Sequence, residues 1–376
     1  MDTQFFTDPR LAELHGAASA TAKSLFSDRD LSVPLTRAEL LSAYRSLAPT
    51  GYLGGVIDRS LGGAGLSFEE YGAVLEGVSE IAPFLSNHSV QRSLVVAGTE
   101  SQRERWLGPL LSAEAIGAVL ITEPHGGTQV ADVRTTLTPD GDGFRLTGQK
   151  IWCVHTMTAD VGVVLAAGPD GKAVRCLVDL THESVRRQQI EMSGLRYLTF
   201  GLIEFRDSPV AAGDLLIGQG TDEVKRTLAV ARALVAVQAA SVGQRAVYAA
   251  VKHLSTRNAR GRAVTGLDLI RERIGELSAR VEASRAFAYH ALKAIDRDDA
   301  SAPALASAAK ANATDAAVAA ATSGIELCAA EGLVAGAEIQ RHRDDAAMLA
   351  IADGTPIVNH TLWGKYVIEQ SLLRRP

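Results

Sequence analysis

The sequence predicts an α+β protein, with strands gathered in one middle region. Three observations carry the prediction. Residues 1–117 read as helices, with repeated helix-start signals. Residues 118–216 carry strand signals separated by Asp, Gly and Pro. Residues 217–376 return to helices, now long and Ala-rich. Helices, then strands, then helices is the order of an α+β chain, whereas a doubly wound sheet alternates the two. No strand–GxGxxG–helix unit occurs, which disfavours a dinucleotide-binding sheet of that kind.

In the first region, Leu11 to Phe26 is amphipathic. Thr36-Arg37-Ala38-Glu39, Ser67-Phe68-Glu69-Glu70 and Thr99-Glu100-Ser101-Gln102 each fit the capping box at a helix start. Leu61-Gly62-Gly63-Ala64-Gly65 is a turn-rich connection. His88, in a helix beginning near Pro83, reads as a satisfied surface or interface histidine. In the second region a short apolar strand, Ala118 to Ile121, leads into Thr122-Glu123-Pro124-His125-Gly126-Gly127-Thr128. Pro139-Asp140-Gly141-Asp142-Gly143 is a hairpin signal. Further strands are expected at Val161–Ala166, Ala173–Val178 and Gly201–Phe205. In the third region, helices are expected over Asp222–Leu254, Leu267–Asp296 and Ala302–Glu331. The second is expected to open with a capping box at Thr265-Gly266-Leu267-Asp268. Long Ala-rich helices side by side suggest a bundle whose wide apolar faces also pack subunit against subunit.

Of 376 residues, 47% are hydrophobic, enough for a large core in two or three domains. A net charge of −5 gives no footprint for nucleic acid. No unbroken apolar run reaches the roughly 18 residues of a membrane span. The first residues lack the basic start and apolar core of a signal peptide. Cys153, Cys176 and Cys328 are odd in number and lack metal-ligand spacing. A cytoplasmic protein with reduced thiols and no metal is expected.

The stretch Val119 to Thr156 carries the chemistry. A strand enters a Gly-rich loop with hydroxyl residues at both ends, where backbone amides can approach a planar or anionic ligand. A large aromatic, Trp152, arrives from the following β segment in Gly148-Gln149-Lys150-Ile151-Trp152. Together Thr122-Glu123-Pro124, the Asp-Gly hairpin and the Gly-x-Lys-x-Trp strand resemble the acyl-CoA dehydrogenase family of flavoproteins. Matching segments extend from about Leu40 to Ile368, nearly the whole chain. The resemblance implies an N-terminal helical domain (1–117), a middle β-barrel-like domain (118–216) and a C-terminal four-helix-bundle domain (217–376). It implies FAD as cofactor and α,β-dehydrogenation of an acyl thioester. A base removes the proton beside the carbonyl, and the flavin takes a hydride from the next carbon.

Carried over position by position, the resemblance makes Asp353 the base, in Asp353-Gly354-Thr355, where Glu is usual. Asp is shorter by one C–C bond, about 1.5 Å, and related nitroalkane oxidases carry Asp here. A second reading of Asp353 is structural: Thr355 and Pro356 look like the N-cap and first residue of the last helix, and an acid beside a helix N-terminus is favourable. Arg232, a lone cation on an Ala/Val helix, is expected to contact substrate, with an interhelical ion pair as the alternative. The flavin would be held by Val119, Ile121, Thr122, Thr128, Trp152, Val154 and Thr355, with Thr128 also near substrate. Arg257 would face the diphosphate. Asp268, Glu326 and Ala330 stand at cofactor positions where the family usually has Gln, Gln and Gly. His360 reads as an exposed helix histidine, with a position facing Asp353 as the alternative.

The implied partners are an acyl-CoA or acyl-carrier-protein substrate, an electron-transfer flavoprotein or oxygen as acceptor, and further copies or homologues in a dimer of dimers. Arg186 and Arg187 are candidates for a carrier-protein docking patch, and read otherwise as solvated turn residues. Two other readings compete: a non- or half-catalytic subunit completed by a homologous chain, and a flavin-dependent oxidase or monooxygenase on the same scaffold.

Overall fold

The computed structural model describes residues 6–79, 86–127, 132–218, 220–259 and 261–373. They form two compact units. One comprises Met1–Val74, Phe84–Met192 and Arg196–Leu228; the other comprises Leu75–Pro83, Ser193–Leu195 and Ala229–Pro376.

The first unit opens with helices α1 (Pro9–Phe26), α2 (Arg37–Leu47), α3 (Phe68–Gly77), α4 (Ser86–Ala97) and α5 (Glu100–Leu111). The expected boxes at Thr36 and Thr99 are made in full, and Ser67 and Glu70 exchange the same pair of bonds. Strands β1 (Gly117–Leu120), β2 (Thr136–Asp140), β3 (Gly143–Val154), β4 (Val161–Ala167), β5 (Ala173–Asp179), β6 (Val185–Ile190) and β7 (Phe200–Ala211) follow. They run β1-β4-β2-β3-β7-β6 across the sheet, with β5 also paired to β4. Asp140 pairs with Gly143, so the hairpin turns on Gly141-Asp142 as its sequence predicts.

The outer edge of β1 is closed by a helix. The amides of Gly117 and Val119 donate to Asn87 Oδ1 and Ser86 Oγ of α4, each at 2.8 Å. These bonds give partners to edge amides that would otherwise be buried unpaired. Val90 and Leu94 of α4 pack with Val161, Val163 and Leu177 in the core between helix and sheet. His88 is buried, stacked on Tyr71 at 4.7 Å, rather than lying on a surface.

The second unit is built on α6 (Gly220–Ser255), α7 (Asp268–Asp296), α8 (Ala302–Cys328), α9 (Glu338–Ile351) and α10 (Pro356–Leu373). Ala246, Ala250, Leu277, Val281, Ala320 and Ile339 share one core. Small residues set the spacing. A Cβ added at Gly243 would lie 3.0 Å from Val281 Cγ2 and 3.2 Å from Ala317 Cα, so glycine lets α6, α7 and α8 meet. Residues Val224–Ser255 and Ala302–Leu333 have the length and mean hydropathy of a membrane span, which a search for unbroken apolar runs passes over. The bundle buries 78% and 44% of their most apolar windows. The three cysteines are free and buried.

One helix start departs from expectation. Thr265 makes no capping box; Val264–Gly266 closes as a 3-10 turn, Leu267 takes the N-cap position without a side-chain bond, and α7 begins at Asp268. The end of α8 is also unusual. Ala329 follows the helix with φ 54° and ψ −137°, a region that normally belongs to glycine. Ala329→Gly is expected to stabilise the protein by about 1 kcal/mol, the relieved strain less the added freedom of the unfolded chain. Denaturant midpoints of the two proteins check this; an unchanged or lowered midpoint contradicts the strain.

Candidate active site

The first unit presents the loop after β1 beside a kinked strand. The register of β3 on β7 slips between Lys150 and Cys153. Trp152 sits in that slip with φ 59°, and its side chain is 53% exposed. A bulge turns a side chain out of the sheet's alternation, and here it holds an indole open to ligand. The amide of Ile151 donates to Thr122 O at 2.9 Å, which fixes the Trp152 segment to the loop. The loop is tight: Glu123 and Gly126 exchange both backbone bonds. A Cβ on Gly127 would fall 2.9 Å from Thr122 Oγ1, so the chain passes close over that hydroxyl.

Beneath the loop lies an ion pair. Lys150 Nζ donates to Glu123 at 2.7 Å and to Ile121 O at 3.1 Å, with the side chains 0% and 4% exposed. Glu123 also accepts from the amides of Arg134 and Thr135 at 2.7 and 2.9 Å. Burial alone would raise its carboxyl, but the bonds from Lys150, Thr135 and Arg134 outweigh this and hold it at about 2. This pair ties both motif halves together. Both residues stand in the motifs, and opposite charges in apolar surroundings were the available signal for their pairing.

Val119, Ile121, Thr122 and Trp152 are therefore gathered at this loop. Val154 is buried at the end of β3, with its backbone paired to Phe200. Thr128 lies outside the described residues.

In the second unit the turn between α9 and α10 is the centre. Asp353 has φ 52° and Gly354 has φ 102°. Arg232 Nε donates to Asp353 O at 2.9 Å, and its Nη1 lies 3.3 Å from Ser307 Oγ. Lys310 Nζ donates to Ala350 O and Gly354 O at 2.7 and 2.6 Å. Asn359 Nδ2 donates to Gly354 O at 2.7 Å. Thr355 Oγ1 accepts from the amide of Val358, so it does cap α10 ahead of Pro356. Among the described residues, none donates a hydrogen bond to the Asp353 carboxylate. Burial raises its pKa, and Lys310 and Arg232 pull it back down. Lys310 and Asn359 were not singled out from sequence, although a lone lysine in the Ala run of α8 is as conspicuous as Arg232.

Other expected residues lie apart from this turn. His360 is exposed, as expected, and faces Asp315 at 3.4 Å rather than Asp353. Arg186 and Arg187 lie on strand β6, not in a turn; Arg187 donates to Leu180 O and Thr156 O. Arg257 pairs with Glu331 at 2.7 Å. Asp268 is exposed and lies 3.4 Å from Arg271, while Glu326 and Ala330 are exposed beyond the α8 core.

One unit thus carries a loop-and-tryptophan platform, and the other carries a carboxylate turn. Comparison with known proteins supplies the family. Models of the acyl-CoA dehydrogenase N-terminal, middle and C-terminal domains match residues 27–114, 118–208 and 218–365. The human mitochondrial short-chain specific acyl-CoA dehydrogenase is 26% identical over 345 residues, covering 88% of this chain and 82% of that one. A subunit of the caffeyl-CoA reductase-Etf complex of Acetobacterium woodii is 26% identical over 343 residues, covering 88% and 89%. Butyryl-CoA dehydrogenase from Megasphaera elsdenii has a structure that superposes with a TM-score of 0.89 at 22% identity, covering 98% and 100%. The chain belongs to the acyl-CoA dehydrogenase family, FAD-dependent oxidoreductases that act on CH–CH bonds.

The exposed indole beside the tight loop is a surface that a flat ring such as a flavin can lie against. Arg257, of a residue type suited to a diphosphate, is here paired with Glu331.

Glu123→Gln is expected to destabilise the protein by about 3–5 kcal/mol, because Lys150 is left buried without a counter-charge. The depressed carboxyl also sets a pH window. Its contribution is present above the ordinary value of 4.5 and is lost as pH falls towards about 2. Urea titrations of both proteins between pH 6 and pH 3 check this; parallel pH dependences contradict it.

Proposed function

We propose that this chain catalyses α,β-dehydrogenation of an acyl-CoA thioester, with Asp353 as the base. The observation that carries the reading is the uncommitted carboxylate. Its turn is held by Arg232, Lys310 and Asn359, while the carboxylate itself accepts no hydrogen bond from the described residues. Burial raises its affinity for a proton, and the two nearby cations keep the ionised form accessible. That combination suits a group that must take a proton near neutral pH.

FAD, when bound, supplies the acceptor for the hydride that leaves the β-carbon. Asp353 accepts the α-proton on a carboxylate oxygen. The electron pair left on the α-carbon forms the new double bond as the β-hydride departs. The thioester carbonyl spreads the charge that develops meanwhile. Arg232 fixes Asp353 O and so holds the base on its turn. Thr122 and Trp152 offer the platform for the ring, and Lys150 and Glu123 keep that platform in place.

CoA is favoured over a carrier protein as the acyl bearer. In a docking patch of Arg186 and Arg187, the Arg187 guanidinium is already engaged with Leu180 O and Thr156 O, which leaves fewer of its donors for a partner. An electron-transfer flavoprotein is the acceptor we infer, in line with the complex named for the Acetobacterium woodii relative. The Arg257–Glu331 pair favours one second reading, in which a homologous chain completes the diphosphate site. Protein made alone that stays colourless with added FAD supports that reading.

With butyryl-CoA as probe, Asp353→Asn is expected to lower kcat about 100- to 10,000-fold, with flavin content unchanged. Wild-type kcat/KM is expected to fall in acid through a pKa above the ordinary 3.8. Steady-state rates alongside flavin absorbance test both; an Asn variant that turns over normally removes Asp353 from the base position.

A further inference from the structure

Lys310 is a buried cation beside Asp353 that the reaction does not use. Its side chain is 0% exposed, inside a run of alanines on α8. A lysine there costs desolvation that an apolar residue of the same length would not. Among the described residues it forms no ion pair that would offset that cost directly. Its ammonium instead donates to two peptide carbonyls, Ala350 O at 2.7 Å and Gly354 O at 2.6 Å.

Those two carbonyls bracket Asp353. Ala350 is in the last turn of α9, where carbonyls lack helical partners and a cation is favourable. Gly354 is the residue after the base. Between them, Asp353 and Gly354 have consecutive left-handed φ values, 52° and 102°. Glycine takes such a φ freely, while Asp353, a non-glycine residue, adopts it less readily and gains from groups that hold the turn. Arg232 holds Asp353 O alone, and Asn359 holds only the far side. Lys310 is the group that grips the turn on both sides of the base.

We propose that Lys310 is the positioning residue for Asp353: its two backbone bonds fix the left-handed turn and leave the carboxylate free of hydrogen bonds to take the α-proton. The inference rests on the reading of Asp353 as base. The cation also faces the carboxylate electrostatically. Burial lowers the Lys310 amine to about 8, with Asp353 and Asp315 raising it and Arg232 lowering it. The charged groups around it are Asp353 from the turn, Arg232 from α6, and Asp315 on α8, with His360 of α10 against Asp315. Loss of the Lys310 proton removes one of the donors and the counter-charge together.

The test is exchange of the α-proton of butyryl-CoA with deuterium oxide, followed by NMR in flavin-loaded protein without an electron acceptor. It compares wild type, Lys310→Met, Lys310→Arg and Asp353→Asn. Lys310→Met is expected to slow exchange about 100-fold, the cost of a misplaced reacting group, with KM within a few-fold of wild type. Lys310→Arg is expected to recover at least tenfold of that loss. Wild-type exchange is expected to decline above a pH of about 8, and Lys310→Arg to move that decline upward. Wild-type rates in the Met variant, beside an inert Asp353→Asn, overturn the assignment and leave the base reading standing. Should the Met variant not fold, a flat wild-type profile through pH 8 overturns it equally. Normal exchange in Asp353→Asn, or none in wild type, removes the base reading and the role of Lys310 with it.

Discussion

A side chain keeps its place only if the backbone beneath it keeps still, and the turn that carries Asp353 is held from three helices. Asp353 and Gly354 both lie at positive φ. Their turn is held because α6, α8 and α10 each send a donor to its carbonyls: Arg232, Lys310 and Asn359. The close packing of the bundle is what brings those helices within reach. Alanines along α8 and glycine at position 243 shorten the distances, and side chains from neighbouring helices then meet one turn. The packing of the second unit and the placement of Asp353 thus depend on the same small residues.

The first unit uses a related device. Lys150, buried and 0% exposed, donates to Ile121 O while pairing with Glu123. Lys310, also buried, donates to carbonyls on both sides of Asp353. A lysine can do this because its ammonium has donors enough to serve several carbonyls at once. The difference lies in the counter-charge. Lys150 has a carboxylate that accepts from three donors, so that pair is structural. For Lys310 burial is the leading influence and lowers the amine, and the Asp353 carboxylate opposes it.

Much of this was legible in the sequence wherever the determinant is local. The boxes at Thr36, Ser67 and Thr99 form because their partners are three residues away. Thr355 caps α10 for the same reason. Thr265 shows the limit: Leu267 bonds back to Val264 and closes a 3-10 turn before the helix begins. What depends on distant strands or helices was not legible. The exposure of Trp152 comes from a slip of β3 against β7, some fifty residues apart in pairing partner. Arg187 looked like a turn residue until β6 paired with β7. His360 is exposed as its sequence suggests, but its partner Asp315 belongs to another helix. Lys310 could be seen as an oddity among alanines, but the carbonyls it serves belong to other helices.

The most direct test of the central claim is anaerobic mixing of the flavin-bound protein with butyryl-CoA and with longer acyl-CoA thioesters, following flavin absorbance. A dehydrogenase bleaches its flavin once with at least one of them and yields the α,β-unsaturated thioester in equal amount. A flavin that is bound yet stays oxidised with every thioester contradicts the account and places the chemistry of this scaffold elsewhere.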